Sequence, residues 1–262
     1  MEAHRTGSVP ASAEELARAD KALFDRIARE YVNKDLKECC RVAREQRLRQ
    51  TIKPLPVPMG RILEVGCGGG FTAEYLEGLY ERYTGVDHSA ELIRYAEVHN
   101  GGPNREFVCA DVLEYRTDAR FDLILMVGVL HHIPEPKKVL EGLRGLLSPH
   151  GVVAVNEPQS GNPVVSALRW VRKRVDRNYS SDQVEYSEPE LLRLFESAGY
   201  TCQSYPQGVF STPFAETQPL PQALALPLAR LATAVDPSLE SLMAARGLGR
   251  LAWNTVVIGR AA

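Results

Sequence analysis

Apolar and aromatic positions recur near a 3.6-residue period over residues 11–50, at Leu16, Leu23, Phe24, Ile27, Tyr31, Leu36 and Val42, which predicts helix. The run Pro54, Pro56, Pro58 ends it, because proline cannot continue a hydrogen-bonded turn. From residue 61 the pattern changes. Short apolar runs at 61–66 (RILEVG), 83–88 (YTGVDH), 105–111 (REFVCAD), 121–128 (FDLILMVG) and 151–158 (GVVAVNEP) read as strands. Helices are predicted between them over 71–79, from the Ser89 cap to about His99 with Glu91 in the first turn, and over 135–147. Strands alternating with helices predict βαβ units and a parallel sheet.

After Pro158 the regularity weakens. Residues 159–187, with Gly161, Pro163, Tyr179 and Tyr186, read as an insertion over the sheet. SEPELLRLFESAGY (187–200) restores a helix, with Ser187 as N-cap, Pro189 in the first turn and Gly199 at the end. A strand in TCQSYPQGVF, a proline-punctuated helical region over 214–247 and a terminal strand in LAWNTVVIG (251–259) complete about seven strands. The expected organisation is a helical cover over 1–59, a core over 60–158, a cap carrying the sixth strand over 159–250, and the last strand of the core sheet over 251–262.

With 262 residues, 44% apolar and 24% charged, and a formal net charge of −2, the composition is that of a globular chain, which excludes collagen, coiled coil and wholesale disorder. Residues 60–158 carry 15 acidic and 9 basic side chains, and an acidic centre argues against a nucleic-acid groove there. No stretch reaches the roughly 18 apolar residues of a membrane helix, and the N-terminus lacks the apolar core of a signal peptide, so the chain is expected in the cytoplasm. Cys39, Cys40, Cys67, Cys109 and Cys202 are odd in number without CxxC spacing, which predicts neither a disulfide framework nor a metal site.

The candidate chemistry begins at ILEVGCGGGF (62–71), where a strand ends in a glycine turn that opens a helix and lets backbone amides approach a ligand. Gly66, Gly68 and Gly70 are spaced Gly-x-Gly-x-Gly, and Phe71 stands where a dinucleotide site wants its third glycine. Glu64 inside the strand suits a cofactor bearing an ammonium rather than a pyrophosphate. Asp87, ending the second strand, is placed to accept both ribose hydroxyls, or alternatively to cap the next helix. Asp111 ends the third strand, where its carboxylate can accept an adenine amino group while Val112 offers a backbone amide; a plain turn aspartate is the alternative.

In these motifs, LEVGCGGG, GVDHS, CADV, FDLILMVGVLHH and LLSPHGVV, in order and spacing, residues 61–158 resemble the class I S-adenosylmethionine-dependent methyltransferases, most closely the small-molecule group called type 11. The resemblance implies an α/β, Rossmann-like seven-stranded sheet of order 3-2-1-4-5-7-6 with the last strand antiparallel. It implies S-adenosyl-L-methionine as cofactor, with Glu64, Gly66, Cys67, Gly68 and Gly70 around the methionine part, Asp87 and His88 at the ribose, Asp111 and Val112 at the adenine, and Met126 and Val127 beside the fourth strand. The expected activity is methyl transfer to O, N or C of a small organic acceptor, of secondary-metabolite, quinone or lipid-like class. The alternatives are an RNA methyltransferase, an NAD-dependent oxidoreductase, and a non-catalytic cofactor-binding or partner protein.

A hydroxyl or acidic-carbon acceptor must lose a proton, and histidine titrates in the right range for that work. His131 and His132 follow the fourth strand. His131 is expected to be the general base, with Glu157 at the end of the fifth strand orienting it or acting in its place; a histidine in this loop could instead merely hold backbone. The basic stretch 169–177, with Arg169, Lys173 and Arg177 on one face if helical, reads as a solvated face or as a contact to an anionic acceptor or a membrane surface.

Overall fold

The computed structural model describes residues 12–163, 165–167, 184–215 and 220–262. The basic stretch 169–177 and Tyr179 lie outside the described residues. The N-terminal helical region is two helices, α1 (Ala13–Asp35) and α2 (Glu38–Ile52), with a break at Leu36 and Lys37. Helix α1 opens with a capping box: Ser12 Oγ accepts from the Glu15 amide and the Glu15 carboxylate accepts from the Ser12 amide.

The core then alternates as β1 (Met59–Val65), α3 (Phe71–Tyr75), β2 (Tyr80–Asp87), α4 (Ala90–Asn100), β3 (Arg105–Cys109), β4 (Phe121–Val127), a 3₁₀ turn (Leu130–His132), α5 (Pro136–Arg144) and β5 (Leu147–Pro158). It continues with α6 (Glu188–Ser197), β6 (Tyr200–Gln207), α7 (Gln222–Ala245) and β7 (Asn254–Ala261). Helix α3 is shorter than the pattern predicts: Gly78, at φ 79°, ends that segment and the chain is already extended by Tyr80. Ser187 is the N-cap of α6, as the sequence predicts, and Glu190 completes a capping box with it.

The sheet has seven strands in the order β3-β2-β1-β4-β5-β7-β6. Strands β1 to β5 pair in parallel, and β7 runs antiparallel to both β5 and β6. This is the expected topology. Helices cover both faces, so the central strands are apolar on both sides. Ile62, Leu123, Leu125, Val152 and Ala154 pack with Val32, Leu48, Ile52, Leu92 and Ala96 on one face. Leu63, Ile124, Met126, Val153 and Val155 pack with Leu130, Val139, Leu140, Leu191 and Phe195 on the other. Each such buried aliphatic side chain contributes about 1.5–3 kcal/mol. In a parallel sheet of this kind the carboxyl ends of the strands form one open edge, and there the glycine turn, Asp87, Asp111, Val127 and Glu157 emerge.

Candidate functional site

A cavity of about 530 Å³ opens at that edge between the strand ends and α1. Two glycines shape the turn beneath it. Gly66 sits at φ 71°, and a Cβ there would meet Val129 at 2.4 Å; Gly70, at φ 77°, would meet Phe107 at 2.6 Å. The turn is held from both sides. The Gly66 amide donates to the Val86 carbonyl at 2.7 Å, and the Gly68 amide donates to Asp87 Oδ2 at 2.8 Å.

Asp87 caps the next helix, the alternative open to it in the sequence, and also lines the cavity. Its Oδ2 closes the glycine turn, its Oδ1 accepts from the Ser89 amide at 2.9 Å to start α4, and it lines the cavity. Burial pushes its carboxyl up, against the downward pull of the Ser89 and Gly68 amides. Asp111 also lines the cavity, with Oδ1 accepting from the Leu113 amide at 2.8 Å in a tight turn. Gly66, Gly68, His88, Val112, Val127 and His132 complete the predicted residues found in the wall.

Glu64 lies in a second, smaller chamber of about 60 Å³, which shares Tyr31, Gly66, Gly68 and Val127 with the first as lining residues. Cys67, Arg44, Arg47 and Tyr75 share it. Thr72 Oγ1 donates to Glu64 Oε1 at 2.8 Å and the Tyr83 hydroxyl donates to Oε2. Burial pushes the Glu64 carboxyl up to about 7 despite these two donors. Burial also pushes the Cys67 thiol well up, so it stays protonated. The Tyr75 hydroxyl is buried and has no hydrogen-bond partner among the described residues.

Four expected residues stand elsewhere. Met126 is not in either wall. Successive side chains on β4 point to opposite faces, so Val127 reaches the cavity and Met126 is fully buried in the α5 and α6 side of the core. Gly70 turns the backbone into α3 and packs under Phe107 without reaching the wall. Glu157 is fully buried, with Oε1 accepting from the Val129 and Leu130 amides at 2.9 and 2.8 Å and Oε2 against His131 Nδ1 at 2.6 Å. Burial would push the Glu157 carboxyl up; the His131 imidazole and the two amides outweigh it and hold it below the usual carboxylate range. The His131–Glu157 pairing is therefore as expected, but it ties down the loop after β4, and neither residue lines the cavity.

Of the two histidines in the loop after β4, His132 is the one in the wall. Its Nδ1 is 2.9 Å from Asp20 Oδ1, and the other oxygen of Asp20 is 3.8 Å from His88 Nε2. The Phe24 ring packs edge-on to His132 at 5.2 Å. Asp20 is absent from the sequence expectations, although one signal for it exists: it shares the inward face of α1 with Phe24 and Tyr31, where a lone carboxylate needs a partner. Arg44 and Arg47 were equally hidden, as two among many arginines on α2. Among the described residues, no group of three or more His, Cys, Asp or Glu is arranged to hold a metal ion, and no helix is long and apolar enough to cross a membrane.

Residues 63–155 match the family described as "Methyltransferase domain". A ubiquinone biosynthesis O-methyltransferase of Paraburkholderia phymatum is 36% identical over 97 residues, 36% of this chain and 42% of that protein. Another of the same name, from Thiobacillus denitrificans, is 26% identical over 162 residues, 58% of this chain and 69% of that protein. The match thus spans less than half the length of the first relative. Among solved structures, the complex of DhpI with S-adenosylhomocysteine covers 96% of this chain and 99% of its own at 18% identity, with a TM-score of 0.62, a likeness of fold.

Proposed function

We propose that this chain is a class I S-adenosylmethionine-dependent methyltransferase and transfers the methyl group of S-adenosylmethionine to a small organic acceptor. The observation that carries the reading is the convergence of Asp87, Asp111 and the glycine turn on one cavity, beside a chamber lined by charges of both signs. The donor set fits the cofactor end by end. Asp87 takes the ribose hydroxyls. Asp111 and the Val112 amide take the adenine. In the smaller chamber Glu64 takes the methionine ammonium, while Arg47 and the unpartnered Tyr75 hydroxyl take its carboxylate. A pyrophosphate has no comparable place beside Glu64, which is why NAD is the poorer fit.

Bound, S-adenosylmethionine supplies an electrophilic methyl group on a positively charged sulfur. The chain's own work is to hold the acceptor in line, exclude water and accept a proton from a hydroxyl acceptor. We assign that proton to His132 rather than to His131, because His132 is in the cavity wall and His131 is committed to Glu157. The names of the relatives favour an oxygen on a quinone-type ring as the methylated atom. Residues 1–59 serve as cover, 60–158 as cofactor core and 159–250 as the acceptor side, with 251–262 closing the sheet, in a cytoplasmic protein that uses no nucleic acid. The test is transfer of label from methyl-labelled S-adenosylmethionine to a panel of catechols and hydroxybenzoates. Labelled product with the parent, and a rate about 100-fold lower in His132→Ala with His131→Ala affected less, supports the assignment. Equal rates in parent and His132→Ala remove His132 from the reaction.

A further inference from the structure

The loop after β4 and the helix above it meet at one carboxylate. Asp20 lies about 110 residues from His132 in sequence, yet its Oδ1 is 2.9 Å from His132 Nδ1. Asp20 Oδ2 faces His88, the residue after the ribose-side Asp87, at 3.8 Å. Phe24, one turn further along α1, packs against both rings, at 5.2 Å from His132 and 6.0 Å from His88. A second carboxylate, Asp25, accepts from the Ser89 hydroxyl at 2.6 Å, and Ser89 in turn donates its amide to Asp87. Helix α1 is therefore seated by two carboxylates on the strand end that faces the cofactor, and one of them also touches the proton-accepting histidine.

The pairing fixes more than position. A carboxylate can only accept, so Asp20 Oδ1 requires the hydrogen on His132 Nδ1, and the neutral ring then carries its lone pair on Nε2. A base needs its lone pair on the atom that meets the substrate. His131 shows the same chemistry turned to a different end: its carboxylate, Glu157, is fully buried and holds loop amides.

We propose that Asp20 is the positioning residue for His132, so that seating α1 over the cofactor cavity and setting the proton acceptor in its working tautomer are one event. The consequence for turnover rests on the methyl-transfer reading; the tautomer does not.

The experiment is long-range proton–nitrogen correlation of the histidine rings in the full chain, with and without S-adenosylhomocysteine, at a pH where the rings are neutral. The expected result is His132 hydrogen on Nδ1 in the parent and loss of that preference in Asp20→Asn, whose amide can donate as well as accept. Asp20→Glu should restore it, and Glu157→Gln should change His131 and leave His132 as it was. Hydrogen on Nε2 of His132 in the parent overturns the proposal without any variant. So does an unchanged tautomer in Asp20→Asn, or a failure of Asp20→Glu to restore it while the amides of α1 keep their protection from exchange. If the parent does not bind S-adenosylhomocysteine, the methyl-transfer reading falls while the tautomer result still decides the role of Asp20.

Discussion

Glu64 is the residue on which the cofactor reading and the stability of the apoprotein meet. Burial raises its carboxyl from 4.5 to about 7, so in the folded state it keeps a proton that the unfolded chain has already lost. Its contribution is therefore complete below pH 4.5 and is lost as the pH rises through about 7, a difference of roughly 3 kcal/mol. Denaturant unfolding of the ligand-free protein should accordingly find Glu64→Gln gaining on the parent by roughly that amount between pH 4.5 and pH 8. A constant difference across that range would mean that Glu64 is already ionised in the fold. The same residue was legible in the sequence as an acidic group out of place in an apolar strand; its partners Thr72 and Tyr83 were not, because they arrive from the next helix and the neighbouring strand.

The element that carries the candidate chemistry is the segment from the end of β4 through the 3₁₀ turn, and Glu157 of β5 is what holds it. Two backbone amides and the His131 ring converge on one buried carboxylate, which replaces water for all of them. Truncation leaves those donors buried without an acceptor, so Glu157→Ala should destabilise by about 3–5 kcal/mol near neutral pH. Because the folded carboxyl titrates below its unfolded value, the stabilisation is present above pH 4.5 and fades as the pH falls below it. Thermal unfolding of parent and Glu157→Ala at pH 7 and pH 4 should show a large gap that narrows; a gap of the same size at both would contradict the ion pair. The strands of this region were readable from their apolar runs, and the pairing of His131 with Glu157 was readable from adjacent strand ends. Which of two consecutive histidines reaches the cavity was not, since it depends on a single 3₁₀ turn after Gly128. Met126 and Val127 differ for the same kind of reason: a run apolar on both faces carries no alternation to say which side is the ligand's.

At the scale of the whole molecule, the order β3-β2-β1-β4-β5-β7-β6 collects onto one edge residues scattered from Asp20 to Glu157. The local signals of the core, a glycine turn and two aspartates at strand ends, needed only the βαβ pattern to be placed together. The cover needed tertiary packing: Asp20, Phe24 and Tyr31 join the site because α1 lies across the strand ends, and an amphipathic helix does not announce where its apolar face will dock. This assembled edge is the place for S-adenosylmethionine, and calorimetric binding of S-adenosylhomocysteine, with NAD as the comparison, is the test. The expected result is a Kd on the order of micromolar for S-adenosylhomocysteine and no comparable binding of NAD, with Asp87→Ala weakening the former by about 1.5–3 kcal/mol as its charge-assisted bonds to the ribose are lost. Tight binding of NAD by the folded parent protein, with no heat on addition of S-adenosylhomocysteine, would contradict it.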